Sequence, residues 1–364
     1  MDSSTLAAET ELGFRQEQED DEGSFSHAIH LAMGIVLPMA IQAAVELGVL
    51  DIIARVDPGA QLFPSEIASQ MPTSKNQDVP LVLDLILRLL TSHRVLVSSV
   101  NGSERFYGLT PVAKYFVSNE DGVSLGPFLA LLNDKVYMQS WPELKSVVLE
   151  GGIPFNKIYG MHIFEYLKVD PRFGQVFNKA MINHKTIVMN KTLEVNRGLE
   201  DLKQLVDVGG GLGITLGLIT PKYPYIKGIN FDLPHVIEHA ANYPGVEQVG
   251  GDMFESIPQG EVIFMKWTIH YWADEECLRL LKNCHQLIPK NGKVIVMDAV
   301  LTVEADASTA AKDTCHMDVA LMAQNYKGKE RTQEEFMALA TGAEFSGIRF
   351  ECLVCNFWVM EFYK

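Results

Sequence analysis

The sequence is poor in cysteine, with five among 364 residues, at positions 277, 284, 315, 352 and 355. That number is too small and too clustered for a disulfide framework and suits a reducing compartment. Cys352 and Cys355 form a CxxC within FECLVCNFWVMEF, an apolar run expected as one strand, on which residues three apart face opposite ways. No second Cys/His pair completes a zinc site, and no cluster of carboxylates or histidines has ligand spacing, so no metal is expected. Basic residues are also scarce, 30 against 46 acidic ones, for a net charge of −16. This excludes nucleic acid as a default partner in the absence of a local basic patch. There is no run of eighteen apolar residues able to span a bilayer. The acidic start MDSSTLAAETELGFRQEQEDDEG is neither a secretory signal nor an Arg-rich transit peptide. Residues 1–24 are therefore expected as a disordered acidic tail on a cytoplasmic protein.

What is present is ordinary globular composition, 47% apolar and 21% charged, in a chain long enough for two domains. Residues 25–56, FSHAIHLAMGIVLPMAIQAAVELGVLDIIARV, are too densely apolar for a one-sided surface helix. Pro38 should divide them into two helices. Further helical stretches lead to VLV, a polar tip NGSERFYG, and LTPVAKYFV. Three helices and a two-stranded wing over 25–125 make a winged-helix-like unit, a fold that need not bind DNA. A helical connector over 126–200 is interrupted at GGIPF and VDPRF. From 201 to 364, strand-like runs alternate with helical ones, the mark of βαβ units and a largely parallel sheet. The fold class is α/β, with a Rossmann-like C-terminal domain behind a mostly helical N-terminal one.

The first strand of that region runs into DVGGGLG, Asp207 to Gly213. Glycines there allow a tight turn and close ligand approach, with helix N–H groups following. Asp232 ends the next strand, where a carboxylate can hold ribose hydroxyls, and Asp252 and Met253 follow the strand after that. A nicotinamide dehydrogenase would use GxGxxG. Here position 214 is Ile and the run reads DxGxGxG, the methyltransferase form.

The runs VLPMA, GGIPFNK, FEY with DPRF, FNKAM, LVDVGGGLG, FDLPHVI, GDMFESIP, MKWTIH, NGKVIV and GKERT together resemble the plant caffeic-acid-type O-methyltransferases over essentially the whole chain after the tail. The resemblance implies an isologous homodimer, with residues near Met33 reaching the partner's acceptor pocket, and S-adenosyl-L-methionine as methyl donor, leaving as S-adenosyl-L-homocysteine. It assigns Gly209, Asp232, Asp252, Met253, Phe254 and Lys266 to the cofactor: the carboxylates accept from hydroxyl and amino groups, and Met and Phe flank the adenine. It makes His270 the general base, braced by Asp298 and Glu330, and a neutral imidazole can take a hydroxyl proton as the oxygen attacks. His235, His239 and His285 are read as solvated positions on helices.

The same resemblance lines the acceptor pocket with Asn133, Phe173, Phe177, Met181, His184, Met317, Leu321 and Asn325, a set suited to a flat ring with a few polar contacts. Several positions depart from the family pattern. Asp298 replaces a glutamate, Tyr271 an aspartate, Leu167 a histidine and Lys185 a serine, and the loop LLNDKVYM is one residue short. The acceptor thus stays open among caffeate or 5-hydroxyferulate, a phenylpropene, a flavonoid, and a monolignol such as coniferyl alcohol methylated on its side chain. Two other classes remain as rivals, a nicotinamide oxidoreductase and a catalytically silent cofactor-binding protein.

Overall fold

A computed structural model of the chain describes residues 21–364 except 58, 73, 74, 197, 305 and 326, so the tail expected at 1–24 lies almost wholly outside the described residues. The chain divides into two compact units, Met1–Asn133 and Asp134–Lys364.

In the first unit the apolar run 25–56 forms three helices rather than two. Helix Asp21–Ala32 is followed, after a 50° bend, by Val36–Glu46. Pro38 lies in the first turn of the second helix, where a missing N–H has no intrahelical partner to lose, so the break falls before it. Gly48, with φ +70°, starts the third helix, Val49–Ala54, in a conformation open to glycine without cost. Helices Pro64–Gln70 and Val79–Ser92 follow, the latter burying Leu83, Leu87 and Leu90 on one face. Strands β1 (Leu96–Asn101) and β2 (Glu104–Leu109) pair antiparallel around Gly102, with Arg105 and Tyr107 both bonded to Asp84. Among the described residues no single helix is long and apolar enough to cross a membrane. The bent pair Asp21–Ala32 and Val36–Glu46 meets that test together, by length and composition only.

The second unit opens with short helices and then a long one, Pro171–Val195, whose N-terminus is capped by the Asp170 carboxylate on the Phe173 amide at 3.0 Å. Seven strands then build one sheet: β3 (Gln204–Val208), β4 (Lys227–Asp232), β5 (Val246–Gly250), β6 (Val262–Lys266), β7 (Lys293–Asp298), β10 (Gly347–Val354) and β11 (Phe357–Tyr363). Their order is β10-β11-β7-β6-β3-β4-β5. Two short strands, β8 (Val300–Leu301) and β9 (Arg331–Thr332), pair separately. Only β11 runs against its neighbours. Leu205 and Phe264 pack on one face of the sheet and Val206 and Ile263 on the other, so both faces are covered. This explains why QLVDV, VIFMK and KVIVMD carry almost continuous apolar runs. Because β3 pairs with both β4 and β6, the chain reverses its direction of travel across the sheet there. The crevice at the carboxyl ends beside such a reversal is where open α/β sheets bind ligands.

Two sequence readings are corrected. FECLVCNFWVMEF is a hairpin and not one strand: Cys355 and Asn356, at φ +50° and +65°, form the two-residue turn between β10 and β11. His285 is half-buried, edge-on to Phe345 at 5.0 Å, rather than solvated.

Candidate active site

The glycine run after β3 has a steric cause at each position that matters. Gly209, Gly211 and Gly213 all have positive φ. A Cβ on Gly210 would lie 2.0 Å from Asn230 Oδ1 and 2.8 Å from Asp207 Oδ2. The loop is pinned from β4: the Gly211 amide donates to Asp232 Oδ2 at 2.8 Å, and Asn230 Nδ2 donates to the Gly211 carbonyl at 3.0 Å. The Leu233 amide donates to Asp232 Oδ1 at 2.7 Å, which fixes the carboxylate at the strand end. Asp207 is fully buried, and burial raises its pKa, with the charge of Lys185 opposing. After β5, Asp252 accepts from the Phe254 amide at 2.8 Å. Asn283, on helix Asp274–Leu287, donates to the carbonyls of Met253 and Phe254. Met253 and Phe254 are half-buried and Asp252 is exposed.

Lys266 ends β6 with its ammonium buried and no hydrogen-bond partner. Its Nζ lies 4.2 Å from the Trp267 ring centroid and 5.2 Å from that of Phe357. Burial, with the repulsion of Lys185 next, lowers its pKa to about 7. Trp267 takes φ +55°, an uncommon conformation for a bulky residue and a mark of local constraint. Its amide donates to Asp298 Oδ1 at 2.9 Å. The indole stacks on His184 at 4.3 Å and lies parallel to His270 at 5.8 Å. His184 is held well below the ordinary histidine range, by burial first and by the charge of Lys266 second.

His270 lies in the helical turn Ile269–Tyr271 just past β6. Its Nδ1 faces Glu330 Oε1 at 2.9 Å, and both side chains are buried. Burial opposes the imidazolium, but the charge of Glu330, its hydrogen bond and the charge of Asp298 outweigh it, so the His270 pKa is raised. Asp298 is not hydrogen-bonded to His270 and acts on it through its charge. One methylene shorter than glutamate, it serves the Trp267 amide instead. Its second oxygen has no partner, and burial raises its pKa to about 6.

The turn bearing His270 is clamped by its surroundings. Arg331 is wholly buried, donating to the Ile269 carbonyl at 3.0 Å, the Trp272 carbonyl at 2.7 Å and Asp274 Oδ1 at 2.8 Å. The Lys329 amide donates to the His270 carbonyl at 2.9 Å, and Asn325 Nδ2 to the Tyr271 carbonyl at 2.5 Å. Tyr271 meets His162 Nε2 through its hydroxyl at 2.9 Å, and its ring packs on Phe164 at 5.2 Å.

Of the residues expected around the acceptor, His184 joins the Trp267–His270 stack, and Asn325 joins the base-bearing turn. Phe177 is half-buried and edge-on to Phe164 at 6.2 Å. Phe173 is fully buried, edge-on to Tyr166, like a core residue. Met181 is half-buried on the 171–195 helix, and Met317 and Leu321 lie on helix Thr309–Gln324. Asn133 belongs to the first unit, closing helix Gly126–Leu132. The sequence reading missed Trp267, Arg331 and His162. Trp267 and Arg331 stand in quoted motifs, MKW and GKERT, beside residues that were singled out.

Residues 141–346 match the model of an O-methyltransferase domain, and residues 29–119 that of an O-methyltransferase dimerisation domain. The chain is 55% identical to the anthranilate N-methyltransferase of Ruta graveolens, over 95% of each chain. It is 54% identical to the caffeic acid 3-O-methyltransferase of Medicago sativa, over 94% of this chain and 95% of that one. Among solved structures, CalO1, a methyltransferase in calicheamicin biosynthesis in its SAH-bound form, superposes with a TM-score of 0.78 at 23% identity, covering 94% of this chain and 98% of the other. Human N-acetylserotonin methyltransferase in complex with SAM gives 0.76 at 21% identity, covering 94% and 97%. Both share the fold.

Proposed function

Because the chain belongs to the O-methyltransferase family, carrying both its dimerisation and its catalytic domains, we propose that it moves the methyl group of S-adenosylmethionine to a hydroxyl of a small phenylpropanoid. The observation that carries this reading is the buried His270–Glu330 pair beside the glycine loop at the carboxyl ends of β3 and β6. The residues fit the donor. The loop has room only for glycine at Gly210, Asp232 is fixed at a strand end, and Lys266 keeps a buried ammonium without a partner.

When bound, S-adenosylmethionine supplies an electrophilic sulfonium methyl. This chain supplies the base. Glu330 accepts from Nδ1–H of His270, which fixes the tautomer and leaves the Nε2 lone pair to take the acceptor's proton. The carboxylate then stabilises the imidazolium. In this reading Asp232 holds the ribose, Asp252, Met253 and Phe254 flank the adenine, and Gly209 and Lys266 complete the cofactor site. Phe173, Phe177, Met181, His184, Met317, Leu321 and Asn325 shape the acceptor site, and Asp298 acts on His270 through its charge. Residues 25–125 dimerise, 126–200 connect, and 201–364 carry the chemistry, in a homodimer of the cytoplasm.

Incubation with methyl-labelled S-adenosylmethionine and a panel of caffeate, 5-hydroxyferulate, coniferyl alcohol, phenylpropenes, flavonoids and anthranilate tests the proposal. Label on oxygen, with His270→Ala lowering turnover by roughly 10²- to 10⁴-fold and leaving cofactor affinity unchanged, is the expected result. Label confined to the anthranilate nitrogen would overturn the oxygen assignment. Cofactor binding without transfer to any member would favour a silent binding protein.

A further inference from the structure

Lys185 is a charged residue that the mechanism above does not use. It lies on the 171–195 helix next to His184, half-buried, and its Nζ donates to the Gly210 carbonyl at 3.1 Å. The ammonium is thereby held against the glycine loop. The Nζ of Lys266 is buried with no hydrogen-bond partner, and the charge of Lys185 helps to lower its pKa. Among the described residues neither lysine makes an ion pair with a carboxylate. Asp298 and then Asp207 act on Lys266 through their charges, and Asp207 on Lys185 as well, but neither carboxylate bonds to a lysine, and burial weakens both as anions.

An ammonium held by one backbone carbonyl, beside a buried amine with no hydrogen-bond partner, leaves donors for an anion to complete, because a buried polar group without a partner loses its hydration uncompensated. The cofactor of the proposed reaction carries one suitable group. Its adenine and ribose are neutral, and its amino-acid end holds an α-carboxylate. We propose that Lys185 binds that carboxylate, with the Gly210 carbonyl as the hinge that parks the ammonium at the loop until the anion arrives.

The inference rests on the cofactor reading, and ligands that differ in one group separate the two. Binding to the intact protein is measured by titration calorimetry with three ligands: S-adenosylmethionine, S-adenosylhomocysteine, and decarboxylated S-adenosylmethionine. Lys185→Met is expected to weaken the first two by about 10- to 100-fold, the range of a hydrogen bond to a charged group. It should leave the decarboxylated ligand within about twofold, and Lys185→Arg should keep most of the affinity for all three. Unchanged binding of the carboxylate-bearing ligands to Lys185→Met would overturn the inference. So would an equal loss for all three, which would make Lys185 a brace for the loop alone. Failure of the unaltered protein to bind any of the three would overturn the cofactor reading and this inference with it.

Discussion

Glu330 determines the pH at which His270 can accept a proton. Burial alone would keep the imidazole neutral, and Glu330 reverses that through its charge and its hydrogen bond. A base with a raised pKa is disabled by acid earlier than an ordinary histidine, so the acid limb of kcat/KM should fall above the ordinary histidine value of 6.5. Glu330→Gln should move that limb to lower pH while reducing kcat, and a limb that stays in place would show that the pair does not set it. Lys266 gives a second pH signature. Its pKa is about 7 in the fold against 10.5 for the free side chain. Between those values the unfolded chain binds the extra proton, so this group makes the cofactor-free protein more stable as pH rises from about 7 toward 10.5. Thermal melts at pH 7 and 9 should show a smaller gain for Lys266→Met than for the unaltered protein.

At the scale of elements, the base-bearing turn depends on a residue that touches no reactant. Arg331 ties together Ile269, Trp272 and Asp274 from a fully buried position. Arg331→Met removes the donor of the Ile269 and Trp272 carbonyls, while the Asp274 carboxylate is half exposed and can turn to water, and the cost expected is about 1–3 kcal/mol for each buried group left unsatisfied, read as a fall in Cm on urea unfolding together with lost turnover. The sequence made the strands and the glycine loop legible because each is written locally, in apolar runs and in glycines that positive φ requires. It concealed the turn between β10 and β11, because Cys355 and Asn356 adopt left-handed conformations without the Asn-Gly signal that usually announces such a hairpin. Arg331 and Trp267 escaped notice for a related reason: their roles depend on partners brought together by the fold, such as Asp274, 57 positions away from Arg331. The shorter arm of Asp298 was legible as a change from glutamate, but its partner, the Trp267 amide, becomes visible only in the fold.

The whole molecule carries apolar surface that a single chain leaves uncovered. On helix Val79–Ser92, Leu81 and Leu85 are 66% and 58% exposed, on the side away from the buried Leu83, Leu87 and Leu90. Phe25, Ile29 and Leu31 on the first helix, and Met33 just after it, are exposed as well. Much of this surface falls within the segment matching the dimerisation model. Sedimentation should therefore find twice the chain mass of 40.5 kDa, and Leu85→Asp should release monomer with its fold intact by circular dichroism. A Leu85→Asp protein that sediments as a dimer would remove this face from the interface.

The ring stack around Trp267 has an optical consequence. An indole lying parallel to His270 at 5.8 Å, and stacked at 4.3 Å on His184, which burial keeps neutral, has its emission quenched when His270 gains a proton. Trp267 thus makes the charge state of the base readable as light, without any substrate, and a fluorescence titration of the resting protein should follow the same curve as the acid limb of its activity.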